Sequence, residues 1–293
     1  MKLKIWITGA SGMLGKDLTS SAKAQGHECL LTDLDVDITD EKAVTLFLEN
    51  NKPDRIVNCA AYTAVDLAET ETALNYKVNA IGPQVLGKCA AQKKVPLLHI
   101  STDYVLNGNP PAPLNPEDEY HPVNAYGKAK MEGERFLLES GASVWIIRTA
   151  WLYGINGKNF VKTMLSLMNT KEKLTVVNDQ FGNPTWTVDL ARAILTVLQS
   201  GSHFGIYHFT GEGITTWCDF ALKIQELGLQ EGLLSKKIPI EGVLSSQFKT
   251  AAVRPSWSAL SKEKIKSTFS IQVPKWEDSL ASYIQLEKEH AGK

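Results

Sequence analysis

The sequence has no stretch of apolar residues long enough to cross a lipid bilayer, and it has no excess of either charge. Its 293 residues carry a formal net charge of -1, which gives no electrostatic reason to bind nucleic acid or an anionic membrane surface. The first residues lead into an apolar, strand-like run and not into a cleavable signal. We therefore expect a cytoplasmic protein that binds neither membranes nor nucleic acid.

Cysteine is scarce as well, and no internal repeat or low-complexity tract is present. The four cysteines, Cys29, Cys59, Cys89 and Cys218, show no paired spacing. That spacing argues against a disulfide framework and against a zinc site. We expect buried free thiols, and we assign no metal-binding residue.

The sequence does contain a glycine-rich turn near its N-terminus. The apolar run 3–8 leads into Gly9, Gly12 and Gly15, and a helical pattern continues to Ala24. Glycines permit a tight turn and close approach to a pyrophosphate, and the first N–H groups of a helix attract negative charge. Strand, turn and helix together predict a dinucleotide site. A glycine-rich loop without a ligand is the alternative.

Apolar, strand-like runs then alternate with longer amphipathic stretches. After the first strand, these runs cover residues 27–33, 55–59, 95–101 and 144–149. The alternation predicts an α/β fold, with a Rossmann-like, doubly wound parallel sheet that binds ligands at the carboxyl ends of its strands.

The pattern changes after Trp151, where glycine, asparagine and proline become frequent. Two further helices are predicted, near residues 188–199 and 217–227. We predict an NAD(P)-binding domain over residues 1–150, with later segments interleaved, and a smaller, mainly substrate-binding lobe over residues 151–293.

An acidic cluster follows the second predicted strand. Asp33 lies 24 positions after Gly9, and Asp35 and Asp37 come next. An acidic group about twenty residues after the glycines commonly binds the adenine ribose, and the cluster should repel a ribose 2'-phosphate. These residues favour NAD over NADP, unless a lysine from elsewhere reaches the phosphate. Asp37 could equally cap a helix with Thr39.

Three residues at the same predicted sheet edge suggest proton transfer. Thr102 ends the fourth strand, and Tyr126 and Lys130 share one face of a helix. A neighbouring ammonium should lower the phenol's pKa from about 10 toward working pH. The threonine would hold the substrate oxygen, the tyrosine would exchange its proton, and the lysine would also bind the nicotinamide ribose. Alternatively, the tyrosine and lysine are a chance pair on a solvated helix, and the threonine is a cap.

These motifs, with several longer segments, resemble the dTDP-4-dehydrorhamnose reductase family of extended short-chain dehydrogenases/reductases. The likeness runs nearly end to end. It is carried by residues 9–15, 58–69, 101–105, 126–128, 148–153, 159–160, 178–185 and 254–255.

The resemblance implies a role for individual residues. Gly9, Gly12, Met13 and Leu14 would contact the pyrophosphate, and Asp33, Asp37 and Ile38 the adenosine half of the cofactor. Ala60, Ala61, Tyr62 and Thr63 would flank the nicotinamide half, together with Tyr126 and Lys130. Thr102, Asp103 and Tyr126 would meet the sugar, Trp151 would wall its pocket unless it is core, and Arg254 would approach the nucleotide diphosphate.

The implied activity is the reduction of a dTDP-linked 4-keto-6-deoxyhexose to dTDP-L-rhamnose, a precursor of cell-surface polysaccharides. The family implies NADPH as the cofactor, with NADH also usable, in conflict with the acidic cluster. Magnesium is possible but no residue demands it, and a monomer or a homodimer would serve. The alternatives are a non-catalytic, NADP-binding regulatory subunit of the same fold, and another nucleotide-sugar reductase, epimerase or dehydratase.

Overall fold

The protein is described by a computed structural model that covers residues 2–109 and 111–291. Its α-helices are α1 (Met13–Ala24), α2 (Glu41–Asn51), α3 (Thr72–Tyr76), α4 (Gly82–Lys93), α5 (Ala125–Glu139), α6 (Phe160–Thr170), α7 (Thr187–Ser200), α8 (Trp217–Gln230), α9 (Glu263–Phe269) and α10 (Trp276–Ala291). Its strands are β1 (Lys4–Thr8), β2 (Glu28–Thr32), β3 (Arg55–Asn58), β4 (Leu97–Thr102), β5 (Val144–Thr149), β6 (Leu152–Tyr153), β7 (Leu174–Val177), β8 (Phe181–Gly182), β9 (Thr185–Trp186), β10 (Gly205–His208), β11 (Thr215–Thr216) and β12 (Ile240–Val243).

The central sheet has six parallel strands in the order β10, β5, β4, β3, β1, β2. The chain moves outward from β1 to β2 and then returns to the other side of β1 at β3. The glycine turn after β1 therefore lies at the point where the strand order reverses, which is where doubly wound folds bind ligands. The predicted Rossmann-like fold is confirmed.

Both faces of the sheet are covered, because its side chains alternate between two apolar layers. Ile5 and Ile7 of β1 pack under α1 and α7, whereas Trp6 lies in the opposite layer with α2, α4 and α5. The strands β1, β3, β4 and β5 are thus buried on both sides, whereas the edge strand β2 is partly exposed.

A second core lies beside the sheet and is built by α6, α8 and α10. Phe220 and Tyr283 are fully buried in it. Three two-stranded pairings accompany it: β7 with β12, β6 with β9, and β8 with β11. Residues after 151 also contribute α7 and the edge strand β10 to the sheet layer, so the two parts are interleaved in sequence. The domain boundary at residue 150 stays a prediction.

A π-helical turn, Lys77–Ile81, joins α3 to α4. The amide of Asn79 in this turn accepts from Tyr62 N at 3.1 Å and donates to Tyr62 O at 2.8 Å. The turn therefore fixes the backbone of the loop that follows β3. Over the described residues, no helix combines the length and apolarity needed to cross a membrane.

Candidate active site

A cleft of about 390 Å³ opens at the carboxyl edge of the sheet. The ends of β1, β3, β4 and β5, the N-terminus of α1 and one face of α5 surround it. It is lined by Gly9, Gly12, Met13, Leu14, Gly15, Cys59, Ala61, Thr63, Val65, Ile100, Ser101, Thr102, Asp103, Tyr104, Tyr126, Lys130, Thr149, Ala150, Trp151, Leu152 and Trp217.

The glycine turn forms one end of the cleft, and its geometry requires glycine. Gly9 has φ +63°, and a Cβ there would lie 2.6 Å from Ala60 N. A Cβ on Gly15 would lie 2.4 Å from the carbonyl oxygen of Gly9. No side chain caps α1 at Gly12, so its first N–H groups can bind an anion. The turn fits a dinucleotide pyrophosphate.

The acidic cluster after β2 is already hydrogen-bonded. The carboxylate of Asp33 accepts from Ser11 N at 3.1 Å and from the Ser11 hydroxyl, so it braces the glycine turn. Asp37 accepts from Thr39 N at 2.9 Å in a local turn and pairs with Lys77 at 3.3 Å, whereas the cap of α2 is Asp40, so Asp37 is not a helix cap. No lysine or arginine is next to this cluster in the sequence, and Lys77 is a lysine from elsewhere that reaches it.

Five of the predicted cofactor residues do not line the cleft. Ile38 is buried against Gly82, where an added Cβ would lie 2.6 Å from its Cδ1. Tyr62 turns outward and donates its hydroxyl proton to Glu71 at 2.7 Å. The others are Asp33, Asp37 and Ala60.

The predicted Thr102, Tyr126 and Lys130 do converge on the cleft. Asn124 caps α5 by accepting from Gly127 N at 2.8 Å, which places Tyr126 in the first helical turn and Lys130 one turn later. The Thr102 hydroxyl lies close to the phenol of Tyr126 and donates its own proton to Asp103. The elements, burial and spacing are those of a proton-transfer site.

The pKa of Tyr126 departs from the prediction. Burial of the phenol and the nearby Asp103 carboxylate raise its pKa above 10, and the nearby Thr102 hydroxyl opposes them only in part. The predicted lowering by Lys130 is wrong for the protein without cofactor. The reason is geometric, because the side-chain nitrogen of Lys130 is hydrogen-bonded elsewhere.

Lys130 is almost completely buried, and its Nζ donates to Ile100 O at 2.7 Å and lies 3.1 Å from His99 Nε2. Burial lowers the pKa of Lys130 to about 8, opposed by the charge of Glu134. His99 itself lies 3.0 Å from Asn58 Nδ2. Neither His99 nor Asn58 stands out in the sequence, since their only signal is a polar residue inside an apolar strand.

Asp103 follows Thr102 directly and lies beside the triad formed by Thr102, Tyr126 and Lys130. Its Oδ1 accepts from Thr102 at 2.9 Å, whereas its buried Oδ2 has no partner of hydrogen-bond geometry among the described residues, although the Ser258 hydroxyl lies close enough to lower the pKa of the carboxyl. Burial raises the pKa of Asp103 to about 6. An unpartnered carboxylate oxygen in a cleft is suited to receive a hydroxyl group from a ligand.

Two stacked indoles form the opposite wall. The rings of Trp151 and Trp217 are 3.6 Å apart between centroids and 12° from parallel. Trp151 has φ +48°, and a Cβ on Gly182 would lie 2.7 Å from its ring. The sequence predicted Trp151 in the wall but missed Trp217, which lies 66 positions later and has no local motif.

Arg254 lies outside the cleft lining. Its guanidinium makes two hydrogen bonds to Asp66, at 2.8 and 3.2 Å, and also contacts Tyr104. A metal site has no support in the residues that the structure describes, which contain no group of three or more His, Cys, Asp or Glu side chains able to hold an ion.

Known proteins resemble this chain over nearly its whole length. The sequence model of the family described as "RmlD substrate binding domain" matches residues 3–288. The dTDP-4-dehydrorhamnose reductase of Aggregatibacter actinomycetemcomitans is 38% identical over 284 residues, covering 94% of this chain and 97% of the relative.

Two solved structures are similar in both sequence and fold. A dTDP-4-dehydrorhamnose reductase from Clostridium acetobutylicum has a TM-score of 0.91 and 42% identity, covering 97% of this chain and 99% of that one. The enzyme from Bacillus anthracis, solved in complex with NADP, has a TM-score of 0.91 and 35% identity over the same shares.

Proposed function

The chain belongs to the dTDP-4-dehydrorhamnose reductase family, and we propose that it reduces dTDP-4-dehydro-6-deoxy-L-mannose to dTDP-L-rhamnose with NADPH. The observation that carries this proposal is the shared cleft. Its glycine turn at one end and its Thr102, Tyr126 and Lys130 at the other belong to one continuous surface. A dinucleotide anchored at the turn can thus extend toward the proton-transfer residues.

Each residue of the triad has a distinct task. When bound, the nicotinamide supplies the hydride that reaches the C4 carbonyl carbon of the sugar. Tyr126 donates its proton to the carbonyl oxygen, and Thr102 hydrogen-bonds that oxygen. Lys130, as an ammonium, stabilises the resulting phenolate and binds the ribose.

NADPH is our choice of cofactor, with NADH also accepted. Lys77 neutralises Asp37 at the acidic cluster, which reduces the repulsion of a 2'-phosphate that the carboxylates alone would exert. The NADP complex of the Bacillus anthracis relative supports the same choice.

The sugar would lie between Asp103 and the two tryptophans. The free Oδ2 of Asp103 would accept a sugar hydroxyl proton, and Trp151 and Trp217 would cover an apolar face of the ring. Arg254 would reach the diphosphate only after leaving Asp66. Because one chain supplies all of these residues, a monomer and a homodimer would each carry complete clefts.

The experiment mixes the purified chain with NADPH and dTDP-4-dehydro-6-deoxy-L-mannose and follows the absorbance of the reduced nicotinamide. We expect one NADPH to be oxidised for each sugar nucleotide reduced. A protein that binds NADPH tightly but leaves it unoxidised would support the regulatory subunit. Conversion of the sugar nucleotide without net NADPH oxidation would support an epimerase or dehydratase.

A further inference from the structure

A chain of buried polar side chains runs from the cleft floor into the sheet. Lys130 Nζ lies 3.1 Å from His99 Nε2, and His99 Nδ1 lies 3.0 Å from Asn58 Nδ2. The Asn58 Oδ1 accepts from the Thr8 hydroxyl at 2.8 Å and from Ala60 N at 3.1 Å. All four side chains are at most 1% exposed, so every proton in the chain needs an acceptor.

The backbone fixes the direction of these hydrogen bonds. The Ala60 N–H can only donate, so the atom of Asn58 that faces it must be the carbonyl oxygen. The amide nitrogen of Asn58 then faces His99 Nδ1 and donates to it. Complete burial lowers the pKa of His99 well below its usual value, so the ring is neutral and carries one proton. That proton must be on Nε2, the nitrogen that faces Lys130.

An ammonium group at Lys130 would oppose this proton, because an ammonium is a donor without a lone pair. A neutral amine fits the same position: it accepts from His99 Nε2 and still donates to Ile100 O at 2.7 Å. Two donors held face to face in a buried site are costly. The geometry therefore favours the amine.

The other titratable groups near Lys130 offer little to hold an ammonium. Burial raises the pKa of Cys59, after β3, to about 12, so its thiol is neutral. On α5, the charge of Glu134 favours the ammonium, but its carboxylate is paired with Arg148 at 2.8 Å. Tyr126, one turn earlier, is a neutral phenol. From β4, His99 presents a donor.

We propose that His99 is a positioning residue that favours the neutral amine of Lys130 before a cofactor binds, and that Lys130 becomes fully protonated when an anionic nicotinamide cofactor binds in the cleft. This inference rests on the proposed function for the identity of the cofactor. The proton gained is the one that reduction consumes. Tyr126 gives its proton to the carbonyl oxygen while the carbon gains the hydride, Lys130 returns a proton to the phenolate, and Lys130 is again an amine that accepts from His99.

The first test needs neither cofactor nor substrate. The ¹⁵N resonances of the His99 ring are recorded by NMR in the cofactor-free protein, at about one pH unit above the pKa of Lys130, where the amine predominates. We expect the tautomer protonated on Nε2. A ring protonated on Nδ1 overturns the proposal.

The second test uses Asn58→Asp to reverse the direction of the hydrogen bonds that link residue 58, His99 and Lys130. A carboxylate accepts from Ala60 N, from Thr8 and from His99 Nδ1–H, so His99 Nε2 becomes an acceptor and Lys130 keeps its proton. Calorimetric titration with NADP⁺, in two buffers of different ionisation enthalpy that are both set about one pH unit above the pKa of Lys130, counts the protons taken up. We expect about one proton per site for the wild type and a small fraction of that for the variant.

Thr8→Val is the matched control, since it removes one donor to Asn58 but leaves Ala60 to fix the amide orientation. It should retain the wild-type proton uptake. Equal uptake by the wild type and Asn58→Asp, or an equal loss in both variants, contradicts the proposal. If the chain fails to oxidise NADPH with the sugar nucleotide, the proposed function falls, while the NMR result still decides the state of His99.

Discussion

Tyr126 enters the cleft as a phenol that holds its proton more tightly than free tyrosine, because burial and Asp103 both raise its pKa. It therefore stays protonated throughout the neutral range and is available as an acid. A positive charge that arrives at Lys130 would weaken its hold on the proton at the moment of transfer.

Replacing Tyr126 with phenylalanine removes the proposed acid while keeping the ring. We expect turnover to fall by roughly 10²- to 10⁴-fold, with the dissociation constant of NADP⁺ nearly unchanged. Steady-state kinetics and calorimetry measure the two effects. Tyr76→Phe is the control, since Tyr76 is 42% exposed and lies outside the cleft. Full activity of the Tyr126 variant would refute its role as the acid.

Gly182→Ala tests the tryptophan wall. The new Cβ would lie 2.7 Å from the Trp151 ring, so the ring must move and separate from Trp217. We expect KM for the sugar nucleotide to rise by about fivefold and KM for NADPH to stay constant, since the loss of a ring contact is worth about 1 kcal/mol.

Gly87→Ala in α4 controls for a general loss of packing, since its Cβ would also be crowded, 3.0 Å from Leu137, but away from the cleft. It should leave both KM values unchanged. An unaltered KM for the sugar nucleotide in Gly182→Ala would exclude Trp151 from the substrate pocket.

Local patterns predicted some site residues and not others. The glycines, Thr102 and the Tyr126–Lys130 spacing each belong to a short segment with its own chemical signature. His99, Asn58 and Trp217 do not. The first two acquire a role only because β3 and β4 are neighbours in the sheet, and Trp217 only because it stacks on a residue distant in sequence.

The same distinction holds for the elements. Val144–Thr149 was predicted with its observed ends, and helix α7 lies within one residue of its predicted limits at each end, because long apolar patterns are strong signals. The π-turn Lys77–Ile81 and the two-residue strands were not predicted. They are too short to have a periodicity, and tertiary contacts determine them.

Helix α5 packs closely on the π-turn at Gly133, and this contact positions the face of α5 that carries Tyr126 and Lys130. Alanine at an exposed helical site is about 1 kcal/mol more favourable than glycine, but a Cβ on Gly133 would lie 2.2 Å from Asn79 O. We expect Gly133→Ala to lower the free energy of unfolding by about 1–3 kcal/mol, as measured in a denaturant titration.

The control for this substitution is Ser166→Ala on the exposed side of α6. At this exposed site the substitution changes only helix propensity. The free energy of unfolding should rise by a few tenths of a kcal/mol, on the order of the difference in helix propensity between serine and alanine. A Gly133→Ala variant more stable than the wild type would mean that α5 and the π-turn do not pack as described.

For the whole molecule, the cleft lies where the sheet layer meets the second core. Asp17 of α1 accepts hydrogen bonds from Thr187 and, at 3.2 Å, from Asn156, which ties the glycine-turn helix to residues of the later segments. The glycine turn and the wall that contains Trp217 are therefore parts of one packed structure. A destabilising group buried in the site should lower the free energy of unfolding of the whole protein.

Lys130→Met tests how much the burial of Lys130 lowers the free energy of unfolding. The pKa of Lys130 is about 8 in the folded protein, below the value of about 10.4 expected for the unfolded chain, so the charged lysine destabilises the fold. Methionine removes this charge but also loses the hydrogen bond to Ile100, which offsets part of the gain. We expect the variant to be about 2 kcal/mol more stable than the wild type below pH 8.

This advantage should shrink as pH rises from 8 toward 10.4, because the unfolded wild type then binds more protons than the native one and wild-type stability increases. Denaturant titrations of both proteins across this range measure the difference. A difference that stays constant with pH would mean that Lys130 has an ordinary pKa in the folded protein.

The central claim is that hydride reaches the C4 carbon of a dTDP-4-keto-6-deoxyhexose in this cleft. The most direct measurement supplies NADPH deuterated at the transferable position of nicotinamide C4, with dTDP-4-dehydro-6-deoxy-L-mannose, and locates the deuterium in the product by NMR. The account predicts dTDP-L-rhamnose with one deuterium at C4 for each cofactor oxidised. Deuterium at any other carbon, or a sugar nucleotide left unreduced, would contradict it.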